Sequence, residues 1–214
     1  MKRLFVIVLL GVLIFPLKGQ NLMNTAMGTN GPVGELLFDQ DSNGVIEYCG
    51  IVEPDLSADV IFGLAKEFLH FAQKKYNAEV SDLFEGITKI ACNVELSVGK
   101  KYIDVPLVGT WQKAASTVSF SVLIEVRNGR YRYTLSDFIT DRWRIPGDGK
   151  DNGQSNVIHW QRVNSLKKEM VKSKDKDEVY EMIESEERAY RMEYKAVMDF
   201  LDGIKTFTEA TVDF

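Results

Sequence analysis

Asn128-Gly129 sits between two runs that alternate apolar and polar residues, and no other feature of the chain limits its fold as tightly. Before it Val118, Phe120, Val122, Ile124 and Val126 recur at period two, and after it Tyr131, Tyr133 and Leu135 do the same. A two-residue Asn-Gly turn takes positive φ at both positions and closes an antiparallel hairpin. Counting outward pairs Arg127 with Arg130, Val126 with Tyr131, Glu125 with Arg132, and Ile124 with Tyr133. A slip of one residue would turn every side chain to the wrong face, so the register is specified. One face is then Val, Ile, Phe and Tyr. The other carries Thr117, Ser119, Ser121, Glu125, Arg127, Arg130, Arg132, Thr134 and Ser136, which predicts a sheet buried on one side and wet on the other.

The remaining chain is read around that hairpin. Residues 20–43 lack a period and form an amino-terminal arm. Gly44 to Glu53 is expected to be a strand, ended by Pro54. Ser57 is placed as the N-cap of a helix that carries Leu64, Phe68, Leu69, Ala72 and Tyr76, with Leu56 set to staple on Ile61. Glu79 to Glu85 and Ile87 to Val98 read as two more strands, the second with Ile90, Cys92, Val94, Leu96 and Val98 at period two. A loop is expected at 99–115. Residues 141–173 are rich in Asp, Gly, Asn, Lys and Arg and read as a long loop. From Lys174 a helix of about 30 residues carries Val179, Met182, Ile183, Tyr190, Val197, Leu201 and Ile204, with Glu184/Arg188 and Glu187/Arg191 as i,i+4 pairs. A tail follows at 205–214.

Lys2 and Arg3 precede the apolar run Leu4 to Phe15, followed by Pro16, Leu17, Lys18 and Gly19. That order of charged, apolar and cleavable segments is a secretory signal peptide over residues 1–19, with Ala26-Met27-Gly28 as a second possible cleavage stretch. The run falls short of the roughly twenty apolar residues that span a bilayer, so no integral membrane segment is expected after cleavage, and the protein is expected to be periplasmic or extracellular. Loss of Lys2, Arg3 and Lys18 moves the net charge from -5 to -8, with 23 basic against 31 acidic side chains remaining. An acidic exported chain is a poor general binder of polyanions. Cys49 and Cys92 both lie in strand-like runs, and export leaves open either a bridge or two buried thiols.

The order strand, helix, four strands, helix, with the opening "NGVIEYCGIVEPD" and the hairpin "VLIEVRNGRYRYTLSDF", resembles an exported bacterial domain-of-unknown-function family of the DUF4468 type, which has a TATA-binding-protein-like fold. The resemblance covers residues 44–140, with the last helix matched by order alone. It implies an α+β, TBP-like β-α-β4-α domain over residues 44–204, in which one antiparallel sheet carries two helices on one face. It also implies that the first strand lies at one sheet edge beside the fifth and the second at the other edge, which would separate Cys49 from Cys92. The segments at 99–115 and 141–173 depart from the family as local elaborations.

Chemistry is sparse along the chain. Asp39, Asp41, Asn43, Gly44 and Ile46 follow the spacing of a calcium loop, but its twelfth position, which needs a bidentate acid, is Gly50. The later set Asp148, Asn152 and Gly153 has Lys150 at a ligand position. His70 and His159 share no metal-ligand spacing, and neither a nucleophile elbow nor a phosphate-cradling loop is present. No metal and no cofactor are expected. Arg127, Arg130 and Arg132 beside Tyr131 and Tyr133 imitate a nucleic-acid stripe, but the alternation sends the rings and the guanidinium groups to opposite faces, so nucleic acid is not expected as a partner.

What remains is a polar sheet face on which Arg127 and Arg130, facing each other with like charge, would gain from an anionic group. Arg132 extends the patch, and Arg142, Trp143, Arg144 and Trp160 are expected to close over it as a lid. These seven residues are the candidate binding site; no catalytic residue is assigned. The function expected is that of an exported, non-catalytic binding or envelope-associated module for an envelope protein, peptide or glycan. The alternative is a hydrolase of envelope or dietary glycans whose paired carboxylates do not stand out among the many acids.

Overall fold

The computed structural model describes residues 37–105, 110–140 and 155–209. Its elements follow in the order β1 (Tyr48–Val52), α1 (Ala58–Lys75), β2 (Ala78–Glu85), β3 (Lys89–Val105), β4 (Thr110–Arg127), β5 (Arg130–Thr140), α2 (Ser155–Lys172) and α3 (Lys176–Thr206). The five strands form one antiparallel sheet in the order β1-β5-β4-β3-β2. The α+β sheet-and-helix architecture is as expected, with one helix more than the two anticipated.

The β4–β5 pairing is the register counted from the turn: Arg127 faces Arg130, Val126 Tyr131, Glu125 Arg132, and Ile124 Tyr133. Its apolar phase is buried, with Ile124 and Tyr131 wholly removed from solvent. Onto this face α1 lays Ile61, Ala65, Leu69 and Ala72, and α3 lays Tyr190, Val197, Phe200, Leu201 and Ile204. Burial at helical spacing against burial at strand spacing makes the core. Tyr131 pins the two layers, since its hydroxyl donates to the Ile204 carbonyl at 2.7 Å, near the end of α3. Burial pushes that phenol up to about 12.

Three irregularities re-aim side chains that strict alternation would misplace. One extra residue in β5 between Ser136 and Ile139, with Asp137 at φ 55°, sends Phe138 into the core. There it stacks on Phe120 at 5.2 Å. A second bulge in β2, with Asp82 at φ 50°, brings Phe84 opposite Ala91 on the other face. A third lies in β3 between Ser97 and Gly99. Beyond it β3 and β4 remain paired as far as Val105 and Thr110, so most of the loop expected at 99–115 is a long hairpin.

The largest departure is in the segment expected to be a loop at 141–173, because residues from Ser155 to Lys172 form α2. Val163 and Leu166 of α2 pack against Val179, Met182 and Ile183 of α3 as a satellite core. Asp175 caps α3 by accepting from the Glu178 N–H at 3.1 Å. His159, expected in a loop, lies on α2 and is buried, its ring stacked at 4.0 Å on Tyr190. Arg162 of α2 meets Glu186 of α3 at 3.0 Å, with side chains only 11% and 5% exposed. The pairs Glu184/Arg188 and Glu187/Arg191 do not close; on α3 Lys195 and Asp199 do, at 2.6 Å.

The ends of the domain also differ from expectation. Phe38, assigned to the arm, is buried against Phe138, Tyr190 and Tyr194. Phe207, assigned to the tail, stacks on Phe68. Ser57 sits at the N-cap of α1 without a side-chain cap bond, and Ile61 N–H bonds its carbonyl instead. The cysteines are free, three strands apart and on opposite faces, with Cys92 buried as expected and Cys49 exposed. Burial holds the Cys92 thiol up at about 11.

Two predictions follow from this packing. Gly203 lies inside α3 where an added Cβ would strike the Tyr76 hydroxyl and come within 2.8 Å of Phe68. Alanine in a helix ordinarily gains about 1 kcal/mol over glycine, but overpacking costs about 1–3 kcal/mol, so Gly203→Ala is expected to lower the melting temperature. Arg162→Ala strands Glu186 and is expected to cost about 3–5 kcal/mol by denaturant titration, whereas replacing Arg162 and Glu186 together with Met and Leu is expected to be near neutral.

Candidate functional site

The face of the sheet away from the helices is ordered in transverse rows. Nearest the β4–β5 turn Arg127 faces Arg130, both exposed. Among the described residues neither forms an ion pair. The next row joins Lys89, Glu125, Arg132 and Ile51 across β3, β4, β5 and β1. Glu125 is the hub of that row: one carboxylate oxygen takes Lys89 Nζ at 2.8 Å, and the other takes Arg132 Nε at 2.7 Å and its Nη2. Lys89, then Arg132, hold the Glu125 carboxyl below the usual range. Arg132, placed in the candidate site as an available cation, is therefore committed to Glu125.

The third row was not read from the sequence. Phe84, Ala91, Leu123, Thr134 and Cys49 align across all five strands. With Ile51 from the row before, they make an apolar band in which Phe84 is 63% and Ile51 61% exposed. Leu123 is an apolar residue between Ser121 and Glu125 in the polar phase of β4, a signal present in the sequence. Phe84 had none, because the Asp82 bulge reverses the phase of β2 after Ser81. Beyond the band, Asn93 donates to Asp82 at 2.9 Å and accepts from Ser121 at 3.1 Å. The last row sets Glu79 opposite Glu95, and Ser119 donates to Glu95 at 3.2 Å.

The expected lid is not assembled from what is described. Arg142, Trp143 and Arg144 lie outside the described residues. Trp160 is half-buried on α2, beside His159, which stacks on Tyr190 in the helix layer. Tyr190 in turn packs through Phe38 against Phe138, eight residues along β5 from Arg130, or about 26 Å at strand rise. Trp160 thus belongs to the helix side and to the far end of β5, away from the arginine pair, and is corrected as a member of the site.

The other candidates are structural. Asp41 is a turn: its Oδ1 accepts from the N–H groups of Val45 and Asn43, each at 2.8 Å. Those bonds, Val45's first, hold its carboxyl down. Among the described residues no group of three or more His, Cys, Asp or Glu is placed to hold a metal ion, and no helix is long and apolar enough to cross a membrane. His70 is exposed on α1. Tyr131 and Tyr133 are buried on the helix side, so the rings form no stacking surface beside the arginines.

Glu125 supplies a pH test. Its folded-state pKa is lowered, so its contribution is fully present above about pH 4.3, the unfolded value, and is lost as pH falls through the lower folded value. Glu125→Gln is expected to reduce stability by about 0.5–1 kcal/mol at pH 7, the scale of an exposed charge cluster. Thermal unfolding of both proteins between pH 7 and pH 3 is expected to show the difference shrinking in acid.

No family model matches the chain, and no curated protein matches it. Among solved structures it is similar to a DUF4468 family protein from Bacteroides ovatus ATCC 8483, with 13% identity over 49% of this chain and 59% of that one, at a TM-score of 0.35. It is also similar to a TBP-like protein from Parabacteroides distasonis ATCC 8503, with 15% identity over 78% and 94% of the two chains, at 0.39. The Zhui aromatase/cyclase of Streptomyces sp. R1128 aligns at 16% identity over 78% and 98%, at 0.25. The resemblance read from the sequence recurs among these structures. At such identities and TM-scores it carries no argument about chemistry.

Proposed function

We propose that the protein is an exported, non-catalytic binding module whose contact surface is the open face of the sheet. The carrying observation is the pairing of Arg127 with Arg130 on an exposed rigid hairpin. Two facing arginines that form no ion pair among the described residues are the arrangement that an anionic partner group stabilises. The apolar band beside them supplies area that water would be released from. The signal-like segment at residues 1–19 supports export, and with it an envelope protein, peptide or glycan as partner.

The glycan-hydrolase alternative draws no support from the buried acids of the described residues. Their buried carboxylates, Glu186 and Glu193, are engaged by Arg162 at 3.0 Å and by the Ser116 hydroxyl at 2.7 Å within the packing.

The test is capture from native envelope extract by the immobilised chain, compared with Arg127→Ser/Arg130→Ser after circular dichroism confirms its fold. Loss of at least one captured species by the variant is expected. An unchanged set would remove the arginine face from the proposal.

A further inference from the structure

The open face carries two like-charged cross-strand pairs, and they are of opposite sign. Arg127 faces Arg130 at one end, and Glu79 faces Glu95 at the other. Like charges directly opposite each other destabilise a sheet, so each pair is a local cost. The two are also equidistant from the apolar band. Arg127 lies four residues from Leu123 on β4, Glu95 lies four residues from Ala91 on β3, and Ala91 and Leu123 are cross-strand partners. At strand rise, each pair is about 13 Å from the row.

We propose that this face is occupied by a second copy of the chain, packed sheet to sheet about a two-fold axis; the proposal rests on the reading of the open face as the contact surface. The axis that exchanges the two pairs passes between Ala91 and Leu123. With strands about 4.8 Å apart it is tilted by about 20° from the transverse row. The strands of the two copies then cross at about 40°, near the ~30° of aligned sheets. Arg127 and Arg130 of each copy come over Glu79 and Glu95 of the other, and both costs are relieved together. Leu123 lies close to the axis and Phe84 meets the band of the second copy, so apolar surface covers apolar surface.

Lys89 and Arg132 do not compete for those acids, because Glu125 already holds them. Exposed Glu53, which follows β1 on this face, forms no ion pair with Arg130 among the described residues. A two-fold arrangement is closed, and does not propagate into a filament. Five strands by eight residues give a face of about 19 by 27 Å. Two such faces bury about 1,000 Å², the lower bound of specific interfaces, and the dimer is accordingly reversible.

The test is sedimentation equilibrium of the purified chain with a charge exchange. Arg127→Glu/Arg130→Glu makes both ends of the face acidic, and Glu79→Arg/Glu95→Arg makes both basic. Each variant alone is expected to self-associate at least about tenfold more weakly than the unchanged chain, and an equimolar mixture is expected to recover the association, since the heterodimer restores both contacts. Dimerisation of the unchanged chain is expected to weaken at about 1 M salt, where the screening length is about 3 Å. Circular dichroism checks that both variants fold. A chain that stays monomeric to about 100 μM, variants that associate as the unchanged chain does, or a mixture that fails to recover association overturns the proposal. If the chain is monomeric and Arg127→Ser/Arg130→Ser still loses an envelope partner, the second-copy inference fails while the binding reading stands. Unchanged capture together with arginine-dependent dimerisation would leave the second copy as the occupant.

Discussion

The structure depends on one-sided burial of the β4–β5 hairpin. Val118, Phe120, Val122, Ile124 and Val126 on β4 and Tyr131, Tyr133 and Leu135 on β5 all point to the same side. The turn at Asn128-Gly129 allows them no other pairing without exposing the whole set. β3 and β1 pair against this hairpin on either side, and β2 is added beyond β3. Helices α1 and α3 then have a single apolar surface to cover. The polar phase of the same strands is left in water as a consequence, so the open face is produced by the requirement that builds the core.

The helix side contains polar groups that apolar packing alone would not recruit. Tyr131 reaches the Ile204 carbonyl, Tyr190 accepts from Leu37 N–H at 3.0 Å, Ser116 reaches Glu193, and Arg162 meets Glu186. Such groups contribute modestly when satisfied and are costly when stranded. Their effect is to specify which helix lies where. The Tyr131 bond sets the end of α3 over β5, and the Arg162–Glu186 pair sets α2 along α3.

On the open face the electrostatics are graded. Lys89, Glu125 and Arg132 are mutually satisfied in the middle, whereas the like-charged pairs stand at the two ends. A face intended only for solvent gains nothing from placing like charges opposite each other. The apolar band between them runs across the strands rather than along one, the shape that the proposed second sheet would cover.

Sequence alone determined the hairpin, its register and which of its faces is wet, because a period of two and an Asn-Gly turn are local and leave one solution. The same alternation made Arg127 and Arg130 legible as a facing pair. It also placed α1 and α3, whose apolar stripes are continuous. Tertiary structure decided the rest. The bulges at Asp82 and Asp137 shift the phase by one residue, which turned Phe84 out and Phe138 in; strict counting carries no trace of either. Helix α2 was hidden because its stripe is weak, and Val163 and Leu166 find their burial only against Val179, Met182 and Ile183 of α3. Trp160 moved with that helix to the far side of the sheet. Glu79 and Glu95 were visible as acids, but they became a pair only when β2 and β3 met in register, since strand pairing between separate runs is set by the core they share.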